Sequence, residues 1–164
     1  MKPVNQTIFG SVGSNPPGNC LQAVIASLLE LSLEEVPHFM LQPDTWFFDM
    51  QKFLKEKGYF YEQYIGNPFA LGQYGNPTHF WETINNHIGV DGYFSAVVYS
   101  PGYFNLEVLC DRNKTTPTHA VIIDRQFKVV HDPHPSYSGT EKYPLVDNIQ
   151  FNGIVGVDII YKSN

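Results

Sequence analysis

Cys20 opens an apolar stretch in "PPGNCLQAVIASLLEL", residues 16–31, directly behind a Gly-Asn turn. A thiol attacks a carbonyl only as the thiolate, and the first turn of a helix stabilises that anion through its unpaired N–H groups and its dipole. The nucleophile also needs a base, and the base needs a third group that orients it. Both occur in "THAVIIDRQFKVVHDPHP", residues 118–135. If Arg125-Gln126 is the loop of a hairpin, Asp124 faces Phe127, Val121 faces Val130 and His119 faces Asp132. Directly opposed residues have Cβ atoms roughly 4.5–5.5 Å apart, within reach of an imidazole–carboxylate hydrogen bond. An odd loop length shifts the register and puts His131 opposite instead, and Arg-Gln is not a favoured two-residue turn.

These residues need elements that position them. Leu21, Val24, Ile25, Leu28 and Leu29 recur at helical spacing, which predicts a helix over Cys20–Leu31. Ser32 with Glu35 three residues on predicts a capping box and a short second helix stopped by Pro37. Asp44 is the expected cap of a third helix, Thr45–Lys57, with Trp46, Phe47, Met50, Phe53 and Leu54 turned inward and Gly58 ending it. A strand is expected at Tyr59–Tyr64, a loop in "NPFALGQYGNP" and a short helix from Thr78. Then β-branched and aromatic residues dominate Tyr93–Ser100, Thr118–Asp124, Phe127–Asp132 and Gly153–Tyr161, all read as strands. Helices first and strands later predict an α+β fold with an antiparallel sheet.

The bulk properties bound the function. The chain has 164 residues, enough for a single domain over 1–164 with its own core. It carries a net charge of −6, and its ten Lys and Arg residues are scattered. Without a basic stripe, nucleic acid is not the expected partner. No apolar run suits a membrane span, and "MKPVNQTIFG" lacks the apolar core of a signal peptide, so a cytoplasmic setting is expected. Aromatic residues reach 15 %, and such side chains fill cores and line clefts. Two cysteines make no disulfide framework.

A cysteine at a helix start, then a histidine beginning a strand and an acid ending the next, resembles the papain-like cysteine peptidase superfamily. The stretches that carry the likeness are "GNCLQAVIASLLEL" with "SLEEVPHF" behind it, and "THAVIID…VVHDPHP". The sequence looks closest to the bacteriocin-processing peptidase domains and their bacterial and phage relatives. The resemblance implies a papain-like fold, with a helical N-terminal part packed on a C-terminal antiparallel sheet and the cleft between them. It implies Cys20 as nucleophile, His119 as general base and acid, and Asp132 as the orienting residue. It implies amide cleavage (peptide, isopeptide or glutamine side-chain amide) through a thioester, on a peptide or protein substrate, with no cofactor. Such enzymes resemble one another in a glutamine shortly before the cysteine that donates to the oxyanion. Six residues before Cys20 stands Ser14 instead. Gln6 takes the role if "FGSVGSNPPGN" is an inserted loop that brings the chain back, with Asn15 and Asn19 as rivals.

Other readings stand beside this one. The same thioester resolved by an amine would make a transglutaminase-like acyltransferase. A papain-like fold without activity would be a peptide-binding module. His131, Asp132 and His134 in "HDPHP", with Cys20 or His119, could hold zinc, but Pro133 and Pro135 break any helix and no paired metal motif accompanies them. Cys110 is expected to be a core residue, and His38, His79 and His87 surface, capping or packed histidines.

Overall fold

The computed structural model describes residues 1–10, 14–65, 89–99, 118–126, 128–137 and 154–162. Helix α1 spans Cys20–Leu29 and helix α2 spans Trp46–Glu56. Strands follow at Tyr59–Ile65 (β1), Phe94–Tyr99 (β2), Thr118–Ile123 (β3), Val129–His131 (β4) and Ile154–Lys162 (β5). The expected loop before Thr78, the expected helix there, Cys110, His79 and His87 lie outside the described residues.

The sheet has the order β1-β5-β2-β3-β4, and every neighbouring pair is antiparallel. The last strand therefore sits between the first two. The fold is mixed α+β, as the change from helical to strand patterning predicts. Strand alternation divides the sheet into two buried faces. Ala120, Ile122 and Ile160 join Val24, Ile25, Leu28, Met50 and Leu54 of the helices in one cluster. Phe94, Ala96, Val98, Val121, Ile123, Val157 and Ile159 form a second cluster on the other face. Full burial of a Leu or Ile side chain contributes about 1.5–3 kcal/mol, so α1 is held on β3 mainly by its apolar stripe.

Local boundaries differ from the sequence expectation for identifiable reasons. α1 ends two residues early because Glu30 adopts a left-handed conformation, φ 58°, with its N–H on the Ala26 carbonyl. The second helix is a single 3-10 turn, Leu33–Glu35, with the Ser32 N–H donating to Glu35 Oε2 at 2.8 Å. α2 is preceded by Thr45 rather than Asp44 as its flanking residue, and the Thr45 hydroxyl donates to Asp49 Oδ2 at 2.6 Å. Met50 and Leu54 are buried, while Trp46, Phe47 and Phe53 pack partly buried at the cluster's margin.

The β3–β4 hairpin corrects the expected register. Ile122 pairs with His131 and Ile123 with Val129, with an irregularity between them. Asp124 decides this. Its N–H bonds the Lys128 carbonyl at 3.0 Å, and its Oδ1 accepts the N–H groups of Gln126 at 2.9 Å and Lys128 at 3.0 Å. The carboxylate organises its own turn between Asp124 and Lys128, which displaces the two-residue loop.

Candidate active site

Cys20 is the first residue of α1, half-buried and without a disulfide. Asn19 precedes it but makes no side-chain cap on the helix. Its Oδ1 instead accepts the N–H groups of Thr7 at 3.0 Å and Ile8 at 2.9 Å, and its Nδ2 donates to Thr7 Oγ1 and Gln22 Oε1. Gln22 continues the chain of bonds by donating to the carbonyls of Leu33 and Val36. The first turn of α1 thus keeps its N–H groups for the thiol side, while Asn19 fastens residues 7–8 to the helix start.

His119 lies near the beginning of β3, before the point at which β4 pairs with that strand. It is 8 % exposed. Its Nε2 meets Asp132 Oδ1 at 2.6 Å, which leaves Nδ1 for the thiol. Asp132 is 6 % exposed and follows directly after β4. Its Oδ1 also accepts the His134 N–H at 2.8 Å. The pair therefore forms although the opposed register does not, because the chain turns after His131 and the turn's own N–H steadies the carboxylate. His134 also stacks edgewise on His119 at 6.4 Å and on Phe9 at 4.9 Å between ring centroids. These contacts restrict the imidazole's swing.

The electrostatics follow from this geometry. Burial pushes the Cys20 thiol up, but the hydrogen bond and charge of His119, with backbone N–H groups of Ala120 and Leu21, bring it below its ordinary value. Burial pulls the His119 imidazolium down, yet Asp132 and the Cys20 thiolate outweigh it and raise it to about 9. Between these two titrations the favoured state is a thiolate beside an imidazolium, with Asp132 behind it. That arrangement can deliver a nucleophile without a further base.

The upstream candidates separate clearly. Gly18 N–H bonds the Gly10 carbonyl at 3.1 Å and Asn19 N–H bonds the Ile8 carbonyl at 3.2 Å, so the chain does return on itself between residues 10 and 18. The approach is close enough that a Cβ on Gly18 would overlap the Gly10 backbone. Gln6 is 6 % exposed, and its N–H bonds the Pro133 carbonyl at 2.9 Å. Among the described residues its Nε2 donates to the Ile8 carbonyl alone, at 3.1 Å, which leaves its second hydrogen for an oxyanion. Its Oε1 has no partner among the described residues. Gln6 is thus tied on one side to the residue after Asp132, and its neighbours Thr7 and Ile8 are tied to the residue before Cys20. Asn19 has spent its amide on Thr7 and Gln22. Asn15 is exposed, and the Ser14 hydroxyl donates to the Pro16 carbonyl at 2.8 Å.

The residues of "HDPHP" point to different tasks. Asp132 serves His119, while His131 Nε2 lies 2.9 Å from the Val4 carbonyl and helps seat the N-terminal segment. No group of three or more His, Cys, Asp or Glu side chains suited to a metal ion occurs among the described residues.

A cavity of about 370 Å³ opens beside Cys20 and His119. Gly10, Pro17 and Gly18 border it from the returning loop, Met40 and Trp46 from the segments after α1, and Val97, Ala120 and Gly156 from the sheet. It lies between the helical part and the sheet. Asp158 of β5 also lines it, a residue that the sequence reading passed over. The available signal was one acid inside the otherwise apolar run "GIVGVDIIY".

No helix among the described residues is long and apolar enough to cross a membrane. Comparison with protein-family models, with curated proteins and with solved structures returned no match, so the site rests on its own geometry.

Proposed function

We propose that this protein is a cysteine hydrolase of papain-like type that cleaves an amide bond through a thioester. The observation that carries the reading is the chain Cys20–His119–Asp132, a helix-start thiol with lowered pKa beside an imidazole held at 2.6 Å by a buried carboxylate. In this mechanism the Cys20 thiolate attacks the carbonyl carbon, and its oxygen takes the negative charge. The Cys20 backbone N–H and the remaining Gln6 Nε2 hydrogen stabilise that oxyanion. His119 then gives its proton to the departing amine, the C–N bond breaks and a thioester to Cys20 remains. Water, deprotonated by His119, attacks the thioester, and the acid leaves as the thiolate reforms. Asp132 keeps the imidazole oriented throughout. The order of elements supports the papain-like assignment: nucleophile on the first long helix, base on a strand of an antiparallel sheet, acid after the next strand.

The test is the pH dependence of Cys20 alkylation by iodoacetamide, in a Cys110→Ser background with and without His119→Ala. The expected outcome is rapid labelling well below pH 8, slowed about tenfold in His119→Ala for each unit by which the thiol pKa rises. A Cys20 that labels slowly and is indifferent to His119 would remove the hydrolase reading and leave a binding protein.

A further inference from the structure

Asp158 is 3 % exposed, yet it borders the cavity that Cys20 and His119 also border. Alternation along β5 explains its direction: Val157 and Ile159 enter the cluster on the far face, and Asp158 lies between them on the helix side. Its partners converge from both neighbouring strands. Oδ1 accepts the Tyr61 hydroxyl at 2.7 Å and Gln63 Nε2 at 3.0 Å, and Oδ2 accepts the Ser95 hydroxyl at 3.0 Å. Gln63 and Ser95 are its direct cross-strand neighbours on β1 and β2. All three donors are neutral, and no lysine, arginine or histidine among the described residues forms an ion pair with it. Burial raises the carboxyl's pKa despite the three hydrogen bonds. Three neutral dipoles orient the carboxyl group but bring no compensating charge, so burial favours its protonated form, and a cation supplied from the cavity would hold it ionised.

We propose that Asp158 reads a positively charged side chain of the substrate, and that the group it takes is a primary ammonium on an aliphatic stem, as in lysine. Among the described residues the ionised Oδ1 accepts two bonds and Oδ2 one, which leaves one acceptor position for a ligand. A single position suits the point charge of an ammonium better than the two-pronged guanidinium. Leu21, Met40, Trp46, Val97 and Ala120 give the cavity apolar walls for the stem. The net charge of −6 favours a cationic ligand at long range.

That the ligand is a substrate rests on the hydrolase reading, whereas recognition of the ammonium does not require the thiol to react. The full-length Cys20→Ser protein is titrated calorimetrically with lysine amide, norleucine amide and arginine amide. The expected result is lysine amide binding about tenfold or more tighter than norleucine amide, with arginine amide weaker than lysine amide. Adding Asp158→Asn should abolish the lysine preference. Equal binding of lysine and norleucine amides, or a preference that survives in folded Asp158→Asn, overturns the proposal. Arginine amide binding as tightly as lysine amide overturns the choice of ammonium. The lysine–norleucine comparison needs no change at Asp158, so misfolding of that variant does not spare the inference. A lysine preference together with an unactivated Cys20 would sink the hydrolase reading alone, and an activated Cys20 without the preference would sink this inference alone.

Discussion

Two of the three proposed catalytic residues, Cys20 and His119, have their protonation state set by neighbours rather than by their own type. Cys20 is half-buried, which by itself would suppress the thiolate, and His119 reverses that effect. His119 is buried, which by itself would suppress the imidazolium, and Asp132 with Cys20 raises it to about 9. The expected pH profile of kcat/KM is therefore a bell. Its acid limb reports formation of the Cys20 thiolate below the ordinary thiol range, and its alkaline limb falls near pH 9 as His119 loses its proton. Gln6 is separable from this pair. Gln6→Ala is expected to lower kcat roughly 10²-fold while leaving the iodoacetamide reactivity of Cys20 near wild type, because alkylation develops no oxyanion. Loss of both together would mean that Gln6 supports the thiol's position instead.

At the scale of elements, the start of α1 is assembled by contacts distant in sequence. Asn19 holds Thr7 and Ile8, and through Gln22 it reaches Leu33 and Val36. Asn19→Ala leaves the N–H groups of Thr7 and Ile8 without their acceptor. It should cost about 1–3 kcal/mol in chemical denaturation and lower turnover, since Gln6 and Cys20 lose their common anchor. Gly58 offers a contrast. It ends α2 at φ +82° with nothing within 4 Å of an added Cβ. Gly58→Ala should cost about 1–2 kcal/mol through backbone strain alone, a fall in Tm of about 2–4 °C per kcal/mol, with kcat/KM unchanged. The hairpin shows how an element can mislead. Its expected register follows from taking Arg125-Gln126 as the loop, but the Asp124 turn shifts it, and the His119–Asp132 bond comes from the turn after β4.

At the scale of the molecule, the site is a seam between the helical part and the sheet, and its charges couple to folding. The folded pKa of His119, about 9, lies above that of a free imidazole. The unfolded chain binds fewer protons there, so this group's stabilisation is fully present below about pH 6.5 and is lost as pH rises toward 9. Cys20 contributes with the opposite sign: its lowered pKa stabilises at alkaline pH and is lost as pH falls through the folded value. Urea unfolding of Cys20→Ser from pH 6 to 9.5 isolates the histidine. Its stability should decline across that window, ending below pH 9 because the thiolate no longer helps hold the imidazolium, and Asp132→Asn should flatten the decline. A flat profile in Cys20→Ser itself would deny the His119–Asp132 coupling.

By itself the sequence determined α1, α2 and the five described strands, because hydrophobic period is local, and it marked Cys20, His119 and Asp132 through their places at element ends. It also marked Gln6 and the returning loop, once a resemblance supplied the reason to look upstream. Only the tertiary structure decided which of these side chains meet. The Asp124 turn, the insertion of β5 between β1 and β2, and the seating of residues 4–8 against Ser27, Asn19, His131 and Pro133 are long-range choices. Asp158 illustrates the reason. In sequence it is one acid in an apolar strand, and its meaning comes from Tyr61 and Gln63, nearly a hundred residues away, and from a cavity that exists only when α1 lies on the sheet. Local pattern sets which face of an element is buried, but the opposing partner is chosen by the packing of the whole chain.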